Sequence, residues 1–376
     1  MSLTLRVHLK RFQSSLSSQR PPFYTVFPTK KLVNRFLFDL DSKLTFAKLY
    51  PVYESIYESL APNGTPAHVP SSFQADDIMI MKKVLERLRR RTKSINKNLI
   101  GLENELLDRA AEMGNNDAIS SLAFDVLRNP ARSAPEDVVH AKTLIKQLYK
   151  MGHPLTIKLT GDLAFDNNDL LNAEKYFNQF LEVEIDTIRA GEVYCKLGTI
   201  SFKKPDLQEA ERKFLESVRL APLENVVLSY YHLAQLYMDS EPVKARSLME
   251  SAASEGFKES FQMLGFLEMN YFHEYQKALQ WFKLGMELYD IECFIGYFDC
   301  SLKLNAPRRA KNCLDSMSKL SKTNESSAAV FQSFLNSRQA QITRLKSCLT
   351  DPFFKYSPEK HSGEITAVSE KNRWEL

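Results

Sequence analysis

The sequence predicts an all-α protein: a right-handed solenoid of stacked helical hairpins, preceded by a helical N-terminal region. Three observations predict it. A spacing of small and aromatic residues recurs along the chain. The composition is 44% hydrophobic and 26% charged with only 12 glycines, which suits a largely helical chain able to bury a continuous core. No run approaches the ~18 consecutive apolar residues that a membrane-spanning helix needs.

The cleanest copy of the spacing reads Leu197-Gly198, Phe202, Ala210, Phe214, Pro222, and the copy before it Gly161, Phe165, Ala173, Phe177. In both, alanine follows glycine by twelve residues and phenylalanine by sixteen. Two antiparallel helices that pack closely need small residues where their backbones approach, and an aromatic one turn further on fills the gap beside them. Pro222 lies where a missing N–H ends the second helix. This is the tetratricopeptide pattern. Leu233-Ala234 with Tyr237, Ala245 and Met249 is a third copy. Leu264-Gly265 with Ala278 and Phe282 is a fourth, and Ile295-Gly296 with Ala310 and Leu314 a weaker fifth. Upstream, Leu122-Ala123 with Ala141 and Ile145 reads as a longer first unit. The double alanine and glycine of Ala110–Gly114 and Ala252–Gly256 resemble the Sel1-like subtype of the same hairpin.

Around this array the chain divides into a transit peptide over 1–20, a helical region over 21–105, the repeats over 106–320, a C-terminal helix over 321–350 and a disordered tail over 351–376. The first acid is Asp39, and seven Lys or Arg precede it. Serines cluster at 14, 15, 17 and 18, and Leu5, Leu9, Phe12 and Leu16 recur at helical spacing. An acid-free, basic, serine-rich amphipathic leader has the features of a mitochondrial transit peptide; the alternative is an untidy disordered terminus. Removing residues 1–20 takes four basic residues from 50 and none of the 46 acids, so the remaining body is close to neutral.

In the N-terminal region, Asp76-Asp77 can start a helix with Ile78, Met81, Leu85 and Leu88 on one face. The other face carries Lys82, Lys83, Arg87 and Arg90, with Arg89, Arg91 and Lys93 beside them. That face suits anionic lipid headgroups or a partner; it equally suits a solvated face balanced by acids of neighbouring helices. Without interleaved aromatics it favours lipid or protein over RNA, and the neutral body makes nucleic acid an unexpected partner.

No metal, cofactor or catalytic residue is expected. The five cysteines make no Cys-x-x-Cys pair, the seven histidines are scattered, and glycine-rich phosphate loops are absent. Buried small hydrophobes are the expected role of the cysteines inside repeat helices. The first helices of successive hairpins line the inner surface of such a solenoid. Counting from each Gly or Ala anchor places Lys158, Asp162 and Phe165 there, then Cys195, Thr199 and Phe202, then Tyr231, Gln235 and Met238, then Gln262, Phe266 and Met269. Phe165, Phe202, Tyr231, Met238, Phe266 and Met269 are the candidates for contact with a polypeptide, against the alternative of burial on the neighbouring hairpin.

More specific strings lie between the repeat positions: Ala110–Ser120 (AAEMGNNDAIS), Ala173–Phe177 (AEKYF), Leu236–Pro242 (LYMDSEP), Gly265–Tyr275 (GFLEMNYFHEY) and Glu292–Cys300 (ECFIGYFDC). In order, from about Phe23 to about Leu320, they resemble a family of fungal mitochondrial proteins that assist export of the C-terminal tail of cytochrome c oxidase subunit two. The resemblance implies a peripheral protein on the matrix face of the inner membrane. It implies that the protein stabilises subunit two and works with an Oxa-type insertase and an associated export factor. From another class, an organellar RNA-binding factor for expression of a mitochondrial transcript is the alternative.

Overall fold

The computed structural model describes residues 20–350 apart from 62, 63, 65, 94, 323 and 324. The expected transit peptide, save Arg20, and the expected tail lie outside the described residues. Every regular element among the described residues is helical. The chain forms two compact units, Met1–Glu184 and Ile185–Leu376.

The first unit holds α1 (Phe23–Val26), α2 (Lys30–Asp39), α3 (Phe46–Ser59), α4 (Ala75–Thr92), α5 (Lys97–Glu112), α6 (Asn116–Arg128), α7 (Pro135–Lys150), α8 (Pro154–Asp166) and α9 (Leu170–Val183). Its N-terminal part packs around aromatic rings with no repeat period. The rings of Phe23 and Phe27 lie 4.6 Å apart, tilted, and Phe27 sits 4.8 Å from Tyr53. The fully buried Tyr53 hydroxyl donates to Met81 O at 2.7 Å, so its desolvation is compensated and α3 is tied to α4. The start of α4 is fixed by a capping box in which Asp77 Oδ2 accepts from Gln74 N at 2.9 Å. Ile78, Met81, Leu85 and Leu88 are all buried, as their spacing predicts. Helices α4 and α5 pair, then α6 with α7 and α8 with α9. The α4/α5 pair runs through position 105, so the hairpin arrangement begins upstream of the repeat spacing.

The second unit holds α10 (Ile188–Lys203), α11 (Leu207–Leu220), α12 (Val227–Tyr237), α13 (Pro242–Ser254), α14 (Lys258–Asn270), α15 (Tyr275–Glu287), α16 (Ile291–Lys303), α17 (Pro307–Leu320), α18 (Glu325–Ser337) and α19 (Gln339–Thr350). Four hairpins pair in order, α10/α11 to α16/α17. The glycine–phenylalanine spacing is a contact. A Cβ added at Gly198 would lie 2.6 Å from the Phe214 ring, and one at Gly161 in the first unit 2.7 Å from Phe177. Where the second helix supplies the more flexible Met249, the anchor is Ala234. Gly256 ends α13 in the left-handed region (φ 82°), and Gly114 does the same after α5 (φ 87°), which is what the double-alanine motif requires.

Three expectations are corrected. In the longer first copy Leu144 and Leu148 are buried while Ile145 is half-buried, and in the fifth copy Cys313 and Met317 replace Leu314. Without a phenylalanine to seat, those helices bury the i+3 and i+7 positions after alanine. Gly296 faces the Phe282 ring of the preceding hairpin instead of Leu314 in its own, so Phe282 is held between Gly265 and Gly296. In place of one helix over 321–350 there are two. Arg338 between them donates to Asp299 Oδ2 at 3.0 Å, and the bend lets Phe334 of α18 and Leu345 of α19 both reach the core.

Cys195, Cys293, Cys300 and Cys313 are buried free thiols, and Cys348 is half-buried. Burial pushes Cys300 and Cys313 up to about 12 and raises Cys195 and Cys293. A thiol held protonated is a poor nucleophile. Ellman's reagent at pH 8 is expected to titrate Cys348 alone in the native protein and all five after denaturation; rapid reaction of two or more native thiols would contradict this burial.

Candidate functional site

All six aromatic and methionine candidates are half-buried. Phe165 of α8 lies 6.5 Å from Phe177, its own hairpin's filler. Its expected companions Lys158 and Asp162 are buried together as an ion pair at 3.2 Å, within one helix four residues apart, so they act as core and not as groove. In the second unit Phe202, Tyr231 and Met238 belong to one cluster and Phe266 and Met269 to the next.

The first of these clusters is an aromatic file. Phe202 lies 4.8 Å from His232, which stacks on Phe214 at 5.3 Å, and Tyr231 lies 4.9 Å from Phe257 at the start of α14. Burial lowers the His232 pKa, so the ring is a neutral aromatic spacer at neutral pH. Gln235 anchors it, bonding His232 Nδ1 at 2.8 Å and donating to the Tyr231 hydroxyl at 3.3 Å. Cys195 is buried, and Thr199 Oγ1 is spent on Cys195 O at 2.9 Å. Gln262 bonds Glu292, and Phe266 meets Phe282 edge-on at 5.1 Å. Each candidate therefore supports its hairpin while leaving part of its ring or thioether open, which suits loose contact with apolar side chains.

The basic face of α4 is half neutralised. Glu86 takes Lys82 at 2.7 Å and Arg90 at 2.8 Å, and Glu103 of α5 takes Arg89 at 3.0 Å. The two cations beside Glu86 hold its carboxyl below the usual range against the opposing effect of burial. Lys83 and Arg87 have no ion-pair partner among the described residues.

Three polar groups escape the repeat spacing because their partners come from other hairpins. Glu268 of α14 is 0% exposed, neither carboxylate oxygen has a hydrogen bond among the described residues, and Arg246 Nη1 of α13 lies 3.6 Å away. Arg246 in turn lies over the Phe272 ring at 4.2 Å. Tyr237 donates to Glu211 and lies under Lys244 Nζ at 3.6 Å, and its pKa is raised, chiefly by burial. In the first unit Asp117, His153, Thr156 and Ser120 form a chain. His153 Nε2 is 3.3 Å from Asp117 Oδ1, His153 Nδ1 is 3.1 Å from Thr156 Oγ1, and Thr156 is 2.6 Å from Ser120 Oγ. Both hydroxyls are 0% exposed, so this chain locks α6 to α8 and offers no nucleophile to a substrate. The residue types at 117, 120, 153 and 156 carry no sequence signal for it. Glu268 carries one, a charged residue on a stripe otherwise small or apolar.

Stacked antiparallel hairpins, each closed by a small residue against the other helix's filler, define a helical-repeat protein of the tetratricopeptide and Sel1-like class. The sequence is 42% identical over 347 residues to the protein MSS2, mitochondrial, of Saccharomyces cerevisiae, covering 90% of this chain and 99% of that one. The profile of the MSS2 N-terminal domain matches residues 19–115, which contain the aromatic core and the α4/α5 hairpin. The chain belongs to the MSS2 family of mitochondrial proteins. Among solved structures it is similar to yeast Tom70, with TM-score 0.42 and 13% identity over 85% of this chain and 74% of that one. It is also similar to the uropathogenic Escherichia coli antigen c5321, which displays an SLR fold, with TM-score 0.37 and 13% identity over 79% and 73%. No helix among the described residues is long and apolar enough to cross a membrane.

Proposed function

We propose that this protein is a non-enzymatic scaffold, peripheral on the matrix face of the mitochondrial inner membrane. There it stabilises newly made cytochrome c oxidase subunit two and assists translocation of its C-terminal tail, working with an Oxa-type insertase and an associated export factor. The observation that carries the reading is the 42% identity to mitochondrial MSS2 across 99% of that protein. The half-buried file of Phe202, His232, Tyr231 and Phe257 supports it, because such a surface holds an extended chain weakly and releases it.

A photoreactive phenylalanine analogue placed at 202 or 231 tests the client. It is expected to crosslink newly synthesised subunit two in organello, whereas the same analogue at Val243, exposed on α13, is not. Crosslinks to a mitochondrial transcript with none to subunit two would overturn the reading in favour of RNA. Carbonate treatment of mitochondria is expected to release the protein into the supernatant.

A further inference from the structure

The exposed side of α4 separates into two rows. One, Lys82–Glu86–Arg90, neutralises itself through bonds of 2.7 and 2.8 Å. The other, Lys83, Arg87 and Arg91, steps by four residues along the flank beside the buried Val84, with Lys83 and Arg87 half-buried and Arg91 exposed. None of its three cations has an acid partner among the described residues. Three residues past the helix end comes Ile95, 81% exposed. Helix α2, which packs on α4, repeats the arrangement: Lys31, Arg35 and Phe38 share one face, and Phe38 is 85% exposed, with Tyr24 of α1 at 73%. Asp39 and Asp41 are the acids that follow that stripe in sequence.

We infer that α4 and α2 bind the surface of an anionic phospholipid bilayer directly, with Lys83, Arg87, Arg91, Lys31 and Arg35 at the phosphates and Ile95 and Phe38 in the interfacial layer. The inference rests on the proposed peripheral membrane position and assigns it to lipid instead of to a protein partner. Cations alone would suit any polyanion. The exposed isoleucine and phenylalanine decide between them, because a bilayer offers an apolar phase beside its phosphates and a nucleic-acid backbone does not. The paired row shows the alternative arrangement on the same helix: where acids were placed to solvate cations internally, they did so, and the 83–87–91 row has none.

Flotation of the full-length protein with vesicles tests this. Binding is expected to phosphatidylcholine mixed with phosphatidylglycerol and not to phosphatidylcholine alone, and added salt is expected to release it. Each basic residue near such a surface changes the partition about fivefold, so Lys83→Gln/Arg87→Gln/Arg91→Gln lowers it on the order of a hundredfold. Arg308→Gln/Arg309→Gln/Lys311→Gln on α17 removes the same charge and is expected to leave binding unchanged. Phe38→Ser with Ile95→Ser tests the apolar contribution and is expected to weaken binding at constant charge. Equal binding to neutral vesicles, salt-independent binding, a triple variant on α4 that floats like the wild type, or an equal loss in the α17 variant would each overturn the inference. Failure here with persistent crosslinking to subunit two removes the lipid contact and leaves the scaffold reading standing; vesicle binding without crosslinking does the reverse.

Discussion

Phe282→Ala is expected to destabilise the second unit by about 3–5 kcal/mol, the usual cost of emptying a fully buried aromatic site. The ring is 0% exposed and has glycines against it from two hairpins, Gly265 of α14 and Gly296 of α16. Glycine walls cannot collapse inward as side chains would, so the cavity stays open and the cost falls at the upper end. Trp281, next in sequence and stacked on Phe261 at 6.4 Å, reports the loss locally through its fluorescence in urea. Gly265→Ala and Gly296→Ala are each expected to destabilise as well, by about 1–3 kcal/mol of overpacking. A shift under about 1 kcal/mol for Phe282→Ala would show that the two hairpins are not closed on this ring.

Arg246→Met is expected to cost about 3 kcal/mol at neutral pH, because it leaves the Glu268 carboxylate buried without its cation. The figure is kept low because the Arg246 side chain is itself 28% exposed. Glu268→Gln should be close to neutral or stabilising, and adding it to Arg246→Met should recover most of the loss. The sign of the pH dependence follows from the raised Glu268 pKa. Burial raises it most, Arg246 and Lys277 oppose this, and Glu250 and Glu274 add to it. A carboxyl whose folded pKa lies above its unfolded value of about 4.5 binds more protons when folded, so its contribution weakens stability as pH rises through the window between the two. The stability of Glu268→Gln relative to wild type should therefore grow from pH 4 upward and level off above the folded pKa. A difference that is flat, or that shrinks with pH, would place the ionised carboxylate in a better-solvated setting than its burial indicates.

The hairpins were legible because everything that closes one lies within about sixteen residues. Gly198, Ala210 and Phe214 are near neighbours in sequence and in contact, so their types record the contact directly. What depends on stacking one hairpin on the next was not legible. Gly296 looked like a weak anchor for Leu314 because its real partner, Phe282, belongs to another pair. Lys158 and Asp162 were placed on the groove by counting, but their four-residue spacing also lets them neutralise each other and be buried. The aromatic core around Phe27 and Tyr53 has no period at all, since three short helices of unequal length meet there. For the candidate site, helical spacing located the basic face and sets Glu86 four residues from both Lys82 and Arg90, while the capture of Arg89 by Glu103 of α5 depends on how the two helices pair.

The double clasp on Phe282 also bears on how such a chain can change over evolutionary time. Hairpins in which the glycine against the aromatic filler comes from the same hairpin, as with Gly161 and Phe177 or Gly198 and Phe214, are modules that unequal recombination could copy or delete with that contact intact. The pair sharing Phe282 is not. Deleting α16/α17 would strip one wall from a ring that belongs to α15, and duplicating α14/α15 would leave a second ring with no Gly296 to meet it. Repeat number should therefore vary among descendants on the N-terminal side of α14 more readily than across that boundary.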